Sequence, residues 1–493
     1  MTYQSSQCAR SYLSALLVAL PVIMASCTMV GPDYVRPETE VPERWTHAQM
    51  GGYSVTSTQD LSEWWHIFDD AILAELVKDA LQSSPDLRLA QAKLIEARAR
   101  RDLAGSSRFP TVTTSISGSR NRSSTKAGSG ATSNMFDAGF DASWEPDVFG
   151  GIRRGVEAAD AVTSASLADL QNIQVTLAAE VALNYVELRS YQNRLIIAGN
   201  NLAIQSETLQ ITQWREQAGL VTALEVYQAR ANLEQTRSSI PVLNSNLTEA
   251  ENRLAILLGR PPAALHARLA ATVKLPVVPE QVAIGIPADT LRQRPDVRAA
   301  EQRLIAETAR IGQQTAELYP SFSLGGAFGW KSLTLGALGS AGTVASSLIG
   351  SVTQSVFDAG RIRNQIRVQN AVQEQALVSY EKTVLTALEE VENALANYAN
   401  NRERQKALHA AAISARNADE LARLRYESGL VDFRTVLEAE RTRLSTEDSL
   451  ASSEAEGLTS LISLYKALGG GWDDAPQKTQ SDDTLEMPES NQP

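Results

Sequence analysis

Cysteine, histidine and long apolar runs are what this chain has least of. Its 493 residues hold two cysteines, Cys8 and Cys27, and four scattered histidines, His47, His66, His266 and His409. Neither a disulfide framework nor a Cys/His metal site can be assembled from them. Lys and Arg total 45 against 57 Asp and Glu, a net charge of −12 with no basic cluster, which argues against a phosphate-binding surface. Serine hydrolase, phosphate-loop and dinucleotide fingerprints are missing. An enzyme is therefore a weak reading, and no cofactor or metal is expected. After the amino terminus no apolar run approaches the roughly 20 residues of a spanning helix. Any membrane-crossing part must be made of strands.

The amino terminus is the first positive feature. Arg10 precedes "SYLSALLVALPVIMASC", an apolar stretch broken by Pro21. It is too short to span a bilayer and fits an export signal over residues 1–26. Met24-Ala25-Ser26-Cys27 resembles a bacterial lipobox, which makes Cys27 the lipidated first residue of the mature chain. Several acyl chains on one residue hold a protein firmly to a leaflet. Ordinary secretion, with Cys27 a bystander, is the plainer alternative. Thr28, rather than Asp, resembles the position after Cys in lipoproteins sent on to the outer membrane.

A duplication governs the rest. "SPDLRLAQAKLI" (Ser84 to Ile95) returns 210 positions later as "RPDVRAAEQRLI" (Arg294 to Ile305). In the same register Pro110 meets Pro320, Gly219-Leu220-Val221 meets Gly429-Leu430-Val431, and Leu258-Gly259 meets Leu468-Gly469. A period this long is no solenoid unit, so each copy is a large supersecondary assembly. The expected divisions are a segment 27–83, a first repeat 84–260, a linker 261–293, a second repeat 294–470, and a polar, acidic tail 471–493 best left disordered.

Each repeat carries a strand pair. In "FDAGFDASWE", Phe136, Ala138, Phe140, Ala142 and Trp144 alternate with Asp137, Gly139, Asp141, Ser143 and Glu145. Period-2 alternation puts the carboxylates Asp137, Asp141 and Glu145 on the face opposite the apolar set. "PTVTTSISGS" precedes it across the Ser/Gly/Asn-rich loop 121–134, giving a hairpin over 109–146. The second copy repeats the plan over 319–357, through "YPSFSLGGAFGW" and "SSLIGSVTQSVF", with Phe322, Leu324, Phe328 and Trp330 on one face. A soluble sheet covering a core is the plain alternative, but little other chain is left to cover it. The pattern fits a transmembrane barrel, polar inside and apolar outside. Four strands cannot close one alone, since the smallest have about eight, so several chains contribute.

Long tracts without proline follow, from Arg153 to about Gln217 and from Arg361 to about Glu427. In the first, Leu167, Leu170, Leu177, Val181, Leu188, Tyr191 and Leu195 step as a seam interrupted by Gln174 and Asn184. In the second, Leu377, Tyr380, Val384, Leu388, Val391, Leu395 and Tyr398 do the same. Sustained 3-4 spacing predicts coiled coil. About 65 helical residues reach roughly 100 Å. Each tract turns at Gly219 or Gly429 and runs back.

Four stretches carry a resemblance: "CTMVGPDYVRPETEVPERW" (Cys27 to Trp45), "WWHIFDDAILAELVKDALQSSPDLRLAQAKL" (Trp64 to Leu94), "IPADTLRQRPDVRAAEQRL" (Ile286 to Leu304) and "RYESGLVDFRTVLEAERTRL" (Arg425 to Leu444). With the repeat, the chain resembles a NodT/OprM-type lipoprotein of the TolC-like outer-membrane factor family, the exit ducts of tripartite efflux pumps. The resemblance implies an α+β membrane protein: a homotrimer with a twelve-stranded β-barrel, four strands per chain, continuous with a periplasmic α-helical coiled-coil barrel. It implies a mixed equatorial region from residues 28–80, about 260–285 and the carboxyl end. The implied partners are a periplasmic adaptor and an inner-membrane transporter of the proton-driven RND type.

A duct open to the outside must shut at its inner end, which puts the gate at the helical turns. By resemblance, Tyr426, Arg425, Asp432 and Glu438 are the gate candidates; three copies of a carboxylate around a narrow axis repel unless hydrated or protonated. Arg425 is expected to pair with a neighbouring carboxylate. The plainer readings are a helix cap for Asp432 and a solvated face for Glu438. Gly219, Leu220, Val221, Gly429, Leu430 and Val431 resemble adaptor-docking tips, although glycine suits any such reversal. If "FDAGFDASWE" spans the membrane, Asp137, Asp141 and Glu145 face the lumen and favour cations. The competing readings are a type I secretion duct, a barrel-less coiled-coil lipoprotein, and a cell-wall hydrolase on a lipoprotein stem. The lipobox and "RPDVRAAE" favour the efflux branch.

Overall fold

The computed structural model describes residues 29–38, 40–47, 53–55, 61–276, 282–284 and 287–472. The signal segment, Cys27 and the tail beyond Trp472 lie outside the described residues. Two compact units each draw on both halves of the chain: 1–41, 89–170 and 295–386 in one, 42–88, 171–294 and 387–493 in the other.

In chain order the elements are β1 (Tyr53–Val55), α1 (Ala71–Ser83), α2 (Pro85–Ser106), β2 (Thr111–Arg122), β3 (Thr132–Trp144), α3 (Gly151–Gln217), α4 (Ala223–Leu257) and the short α5 (His266–Leu269). The second half adds β4 (Val282–Ile284), α6 (Pro287–Gln293), α7 (Pro295–Ala316), β5 (Ser321–Ser332), β6 (Val344–Thr353), α8 (Arg361–Glu427) and α9 (Phe433–Ala467). The bounds of α2, β2, α3 and α4 return in α7, β5, α8 and α9, each shifted by 210 residues.

That shift explains why the chain writes its opening twice. Pro85 and Pro295 are first helical residues, where proline's missing N–H costs nothing, and Asp86 and Asp296 sit in the first turn, where the helix dipole favours a negative charge. Each opening also receives the end of its own repeat. The Ser83 hydroxyl donates to the Leu258 carbonyl at 2.9 Å, and Gly259, at φ +65°, packs on Ser83 and Pro85. In the second copy Arg294 donates to the Ala467 carbonyl at 2.8 Å and pairs with Glu390 at 2.7 Å, while Gly469 lies against its backbone.

The first unit contains an antiparallel sheet in the order β2-β3-β5-β6. Directly opposed pairs such as Thr114–Phe140, Phe140–Phe328 and Phe328–Ser346 align one side chain from every strand on a common face. That face gathers Val112, Ile116, Phe136, Phe140, Trp144, Phe322, Leu324, Phe328, Leu348 and Val352, as the alternation predicts. The other carries Asp137, Asp141, Ser115, Ser323, Ser351 and Lys331. The apolar face is open: Ile116 is 84 % and Leu348 83 % exposed. This overturns the soluble-sheet reading, because a soluble sheet buries its apolar side. The last strand also differs from expectation, ending at Thr353 and leaving Val356 and Phe357 unpaired beyond it. Asp358 ends that run by accepting the N–H groups of Gly360 and Ile362 at 2.9 and 3.0 Å, which starts α8.

Residues 29–36 pack within this unit. Val30 donates to the Phe149 carbonyl at 3.2 Å, Asp33 pairs with buried Arg154 at 2.6 Å, and Arg36 pairs with Glu301 at 2.8 Å.

The second unit holds the aromatic core. Trp64 stacks on Tyr465 with centroids 5.5 Å apart and meets Trp65 and Phe68 edge-on. Gly471, at φ +105°, packs beside the Trp64 indole and Val175, and its N–H donates to the Leu61 carbonyl at 2.9 Å. The Asp70 carboxylate caps α1 through Ile72 and Leu73 and also receives the Tyr185 hydroxyl at 2.6 Å. Parallel pairing of β1 with β4 joins the amino-terminal segment to the linker.

The seams hold in part. Leu170, Leu177, Val181, Leu188, Tyr380, Val384, Val391, Leu395 and Tyr398 are buried, but Leu167 is exposed. Ala161, Ala165 and Ala168 line the packed face there, because small residues let helices approach closely. No helix among the described residues is long and apolar enough to cross a membrane. Trp64→Ala, which empties the aromatic core, is expected to cost about 3–5 kcal/mol; a lowered thermal midpoint in detergent checks it.

Candidate functional site

Both long helices end in the same way. Gly219 (φ +71°) and Gly429 (φ +73°) take the left-handed conformation that L side chains avoid. Their N–H groups donate to the Glu216 and Tyr426 carbonyls at 2.9 Å, and those of Leu220 and Leu430 reach the Arg215 and Arg425 carbonyls at 2.8 Å. This double bond is a Schellman turn, which satisfies carbonyls that a helix end leaves free. A Cβ on either glycine would meet nothing within 4 Å, so the conformation rather than crowding requires glycine. Leu220 and Leu430 project, 69 % and 74 % exposed, whereas Val431 packs inward.

Tyr426 is buried with Ala229, Ala422, Phe433, Val436 and Leu437. Its hydroxyl donates to Glu225 Oε2 at 3.0 Å, and its ring lies 5.4 Å from that of Phe433. Burial, with the Glu225 hydrogen bond adding to it, pushes the phenol up to about 12. Arg215 lies over the ring, 4.4 Å from its centroid, and donates to the Tyr426 carbonyl at 2.6 Å. Tyr426 thus ties the second helical hairpin (α8–α9) to the first (α3–α4).

The other expected tip residues are placed differently. Arg425 is exposed, and among the described residues it forms no ion pair, contrary to expectation. Arg215 approaches Tyr426 instead; it occupies the Arg425 position in the first repeat, so the 210-residue register held the signal. Asp432 is the amino-terminal cap of α9, accepting the Thr435 hydroxyl at 2.8 Å and N–H at 3.0 Å. Those bonds, the hydroxyl first, hold its carboxyl below the usual range. Glu438 is exposed on α9.

Beyond the tip lies a polar cluster that sequence reasoning did not find. Buried Glu440 accepts Thr208 Oγ1 from α3 at 2.6 Å and Asn232 Nδ2 from α4 at 3.0 Å. Arg441 Nε donates to Asn232 Oδ1 at 3.1 Å. Further along, Arg443 pairs with fully buried Asp419 at 3.0 Å, and with Arg416 and Asn201 it also surrounds Glu447. Desolvation lifts the Glu440 carboxyl above its ordinary value against the pull of its two donors.

On the sheet, Asp137 and Asp141 share the polar face as expected. Asp137 pairs with Lys331 at 3.1 Å, so its charge is offset, while among the described residues the Asp141 carboxylate accepts only the Ser115 hydroxyl at 3.2 Å. Glu145 departs from expectation: β3 ends at Trp144, whose indole donates to the Arg108 carbonyl at 3.0 Å. Pro146 follows and can donate nothing to a strand ladder, so Glu145 lies in the connection to α3. Among the described residues no group of His, Cys, Asp and Glu could hold a metal ion.

Exposed apolar strands, doubled helical hairpins and glycine tips invite comparison with known proteins. The outer membrane efflux protein family model matches residues 76–260 and 286–470, one copy to each repeat. The chain belongs to the outer membrane efflux protein family. OprJ, an outer membrane protein of Pseudomonas aeruginosa, is 31 % identical over 468 residues, covering 94 % of this chain and 96 % of that one. The toluene efflux pump outer membrane protein TtgF of Pseudomonas putida is 30 % identical over 472 residues, covering 93 % and 97 %. The cation efflux system protein CusC of Escherichia coli is 31 % identical over 454 residues, covering 91 % and 96 %. Among solved structures, the outer-membrane channel OprN superposes with a TM-score of 0.86 at 39 % identity, over 90 % of this chain and all of that one.

Family membership makes the chain an outer-membrane efflux channel and not an enzyme. Strands β2, β3, β5 and β6 are barrel strands and the long paired helices are the walls of a helical duct. The protein resides in the outer membrane and extends into the periplasm. Tyr426→Phe keeps the aromatic packing and removes the bond to Glu225. Amide hydrogen exchange at the two tips is expected to speed up by an amount matching about 1 kcal/mol.

Proposed function

We propose that three copies of this chain close into one exit duct of a tripartite pump, passing small molecules from a periplasmic adaptor and an RND-type inner-membrane transporter to the exterior. One observation carries the reading: β2 and β6 each have a single neighbour, while the sheet exposes a continuous apolar face. In hydrocarbon an unpaired strand edge leaves backbone groups without any partner, so membrane sheets close on themselves. Four strands are too few to close, and three chains supply twelve. Light scattering of the detergent-solubilised protein is expected to give the mass of three chains; a water-soluble monomer needing no detergent overturns the assembly.

Closure falls to the turns at Gly219 and Gly429. Asp432 and Glu438, both exposed beside the second turn, are carboxylates able to ring the axis, with Arg425 beside them and Tyr426 holding the hairpins together. The cap made by Asp432 is compatible with this, since its second carboxylate oxygen is left free to face a neighbouring copy. Removing both charges, as Asp432→Asn with Glu438→Gln, is expected to raise the conductance of the reconstituted channel. Unchanged conductance discards the ring.

Leu220 and Leu430, with Gly219, Val221, Gly429 and Val431 shaping the turns, form the surface for the adaptor. On the polar face of the barrel Asp141 carries the cation preference, because Lys331 offsets Asp137. Cys27 is the anchor; Met29, two residues later, packs on Gly150 in the connection between β3 and α3. Cys27→Ala is expected to abolish incorporation of labelled palmitate. Cargo selection rests with the inner-membrane partner, consistent with relatives named for toluene and for cations at nearly the same identity to this chain.

A further inference from the structure

Glu440 is the one carboxylate near the tips that is buried and bonded only by neutral donors. Thr208 on α3 and Asn232 on α4 reach it from the first hairpin, and it stands on α9 of the second. The charged groups facing it are accounted for by their own partners. From α8, Asp419 is held by Arg443, and Arg423 pairs with Glu207 of α3. Along α9, Arg441 donates to Asn232, while Arg443 and Arg416 hold Glu447. No cation is bonded to Glu440 in the packed hairpins: the charge of Arg423, which favours its ionised form, is engaged by Glu207 and opposed by Asp419, and a buried, unpaired charge is costly.

We propose that Glu440 is a proton-operated catch between the two helical hairpins: neutral, it leaves them packed, and ionised, it favours their separation and hydration. The idea deepens the reading of the tips as the closing end and rests on it. Burial lifts the carboxyl above its ordinary value, so packed hairpins bind its proton more tightly than a hydrated Glu440 does. Packing therefore gains stability as pH falls below that raised value and loses it as pH rises through it. Opening of the hairpins releases the proton. The residue is separate from the exposed carboxylates Asp432 and Glu438, which act on the axis rather than inside the wall.

The test is the conductance of the purified full-length channel in planar bilayers, recorded from mildly acidic to mildly alkaline pH. The wild type is expected to conduct more as pH rises. Glu440→Gln keeps the shape and the acceptor oxygen but cannot ionise, so its conductance stays low and flat. Thr208→Val removes a donor that favours the ionised form, which moves the rise to higher pH by about one to two units. A Glu440→Gln profile that tracks the wild type overturns the catch, and so does a wild type indifferent to pH. A Thr208→Val profile that stays in place or moves to lower pH overturns it too, and that variant serves alone if Glu440→Gln fails to assemble. Failure of the gate reading looks different: the Asp432→Asn, Glu438→Gln protein then conducts as the wild type does while Glu440→Gln still flattens the pH profile.

Discussion

Backbone hydrogen bonding is the constraint on which the rest depends. A strand in water can leave its edge to solvent, but a strand in hydrocarbon cannot. This chain supplies four long strands, an outward apolar face, and two edges with nothing beside them. Once strands must cross the membrane, the need for more than one copy, the closed wall and the alternation of polar and apolar side chains follow from the same requirement. The duplication serves it as well, since one gene then contributes two hairpins at two places in the wall.

The helical part obeys a different rule. Helices satisfy their own backbones, so what matters is which side chains fill the space between them. Alanines at 161, 165 and 168 and the aromatic set Trp64, Tyr398 and Tyr465 show two solutions, close approach and bulk filling. Near the tips neither is used alone. Polar residues from four helices enter the interior, where Asp419 and Glu447 are paired with arginines while Glu440 is bonded only by neutral donors. A wall that must open without unfolding benefits from contacts that water can replace, and hydrogen bonds exchange with water more readily than packed apolar groups do.

Much of the candidate site could be read in the chain. Gly219 and Gly429 announced the turns, and the period-2 run around Phe140 announced the strand with its apolar side. Pro85-Asp86 and Pro295-Asp296 marked the helix starts, and the constant register tied the copies together. The family resemblance pointed to Tyr426 but not to what holds it. Glu225 and Arg215 lie some two hundred residues from it, and nothing local in either sequence reveals the contact. Arg425 adjoins Tyr426 on α8, so the two side chains point about 100° apart, and the guanidinium over the ring is that of Arg215 from the first hairpin. Glu440 gave no signal at all. It sits among Glu438, Arg441 and Arg443, and nothing in that run of charges sets it apart.

By itself the sequence determined the repeat, the order of elements, the polarity of each strand face and the places where helices stop. These are local properties, decided by spacing, glycine and proline. Only the tertiary structure decided which charges are buried, which carboxylate caps and which is left to water, and how one hairpin grips the other. Those outcomes depend on side chains far apart in the chain meeting in a low-dielectric interior, and a periodic pattern does not carry that information.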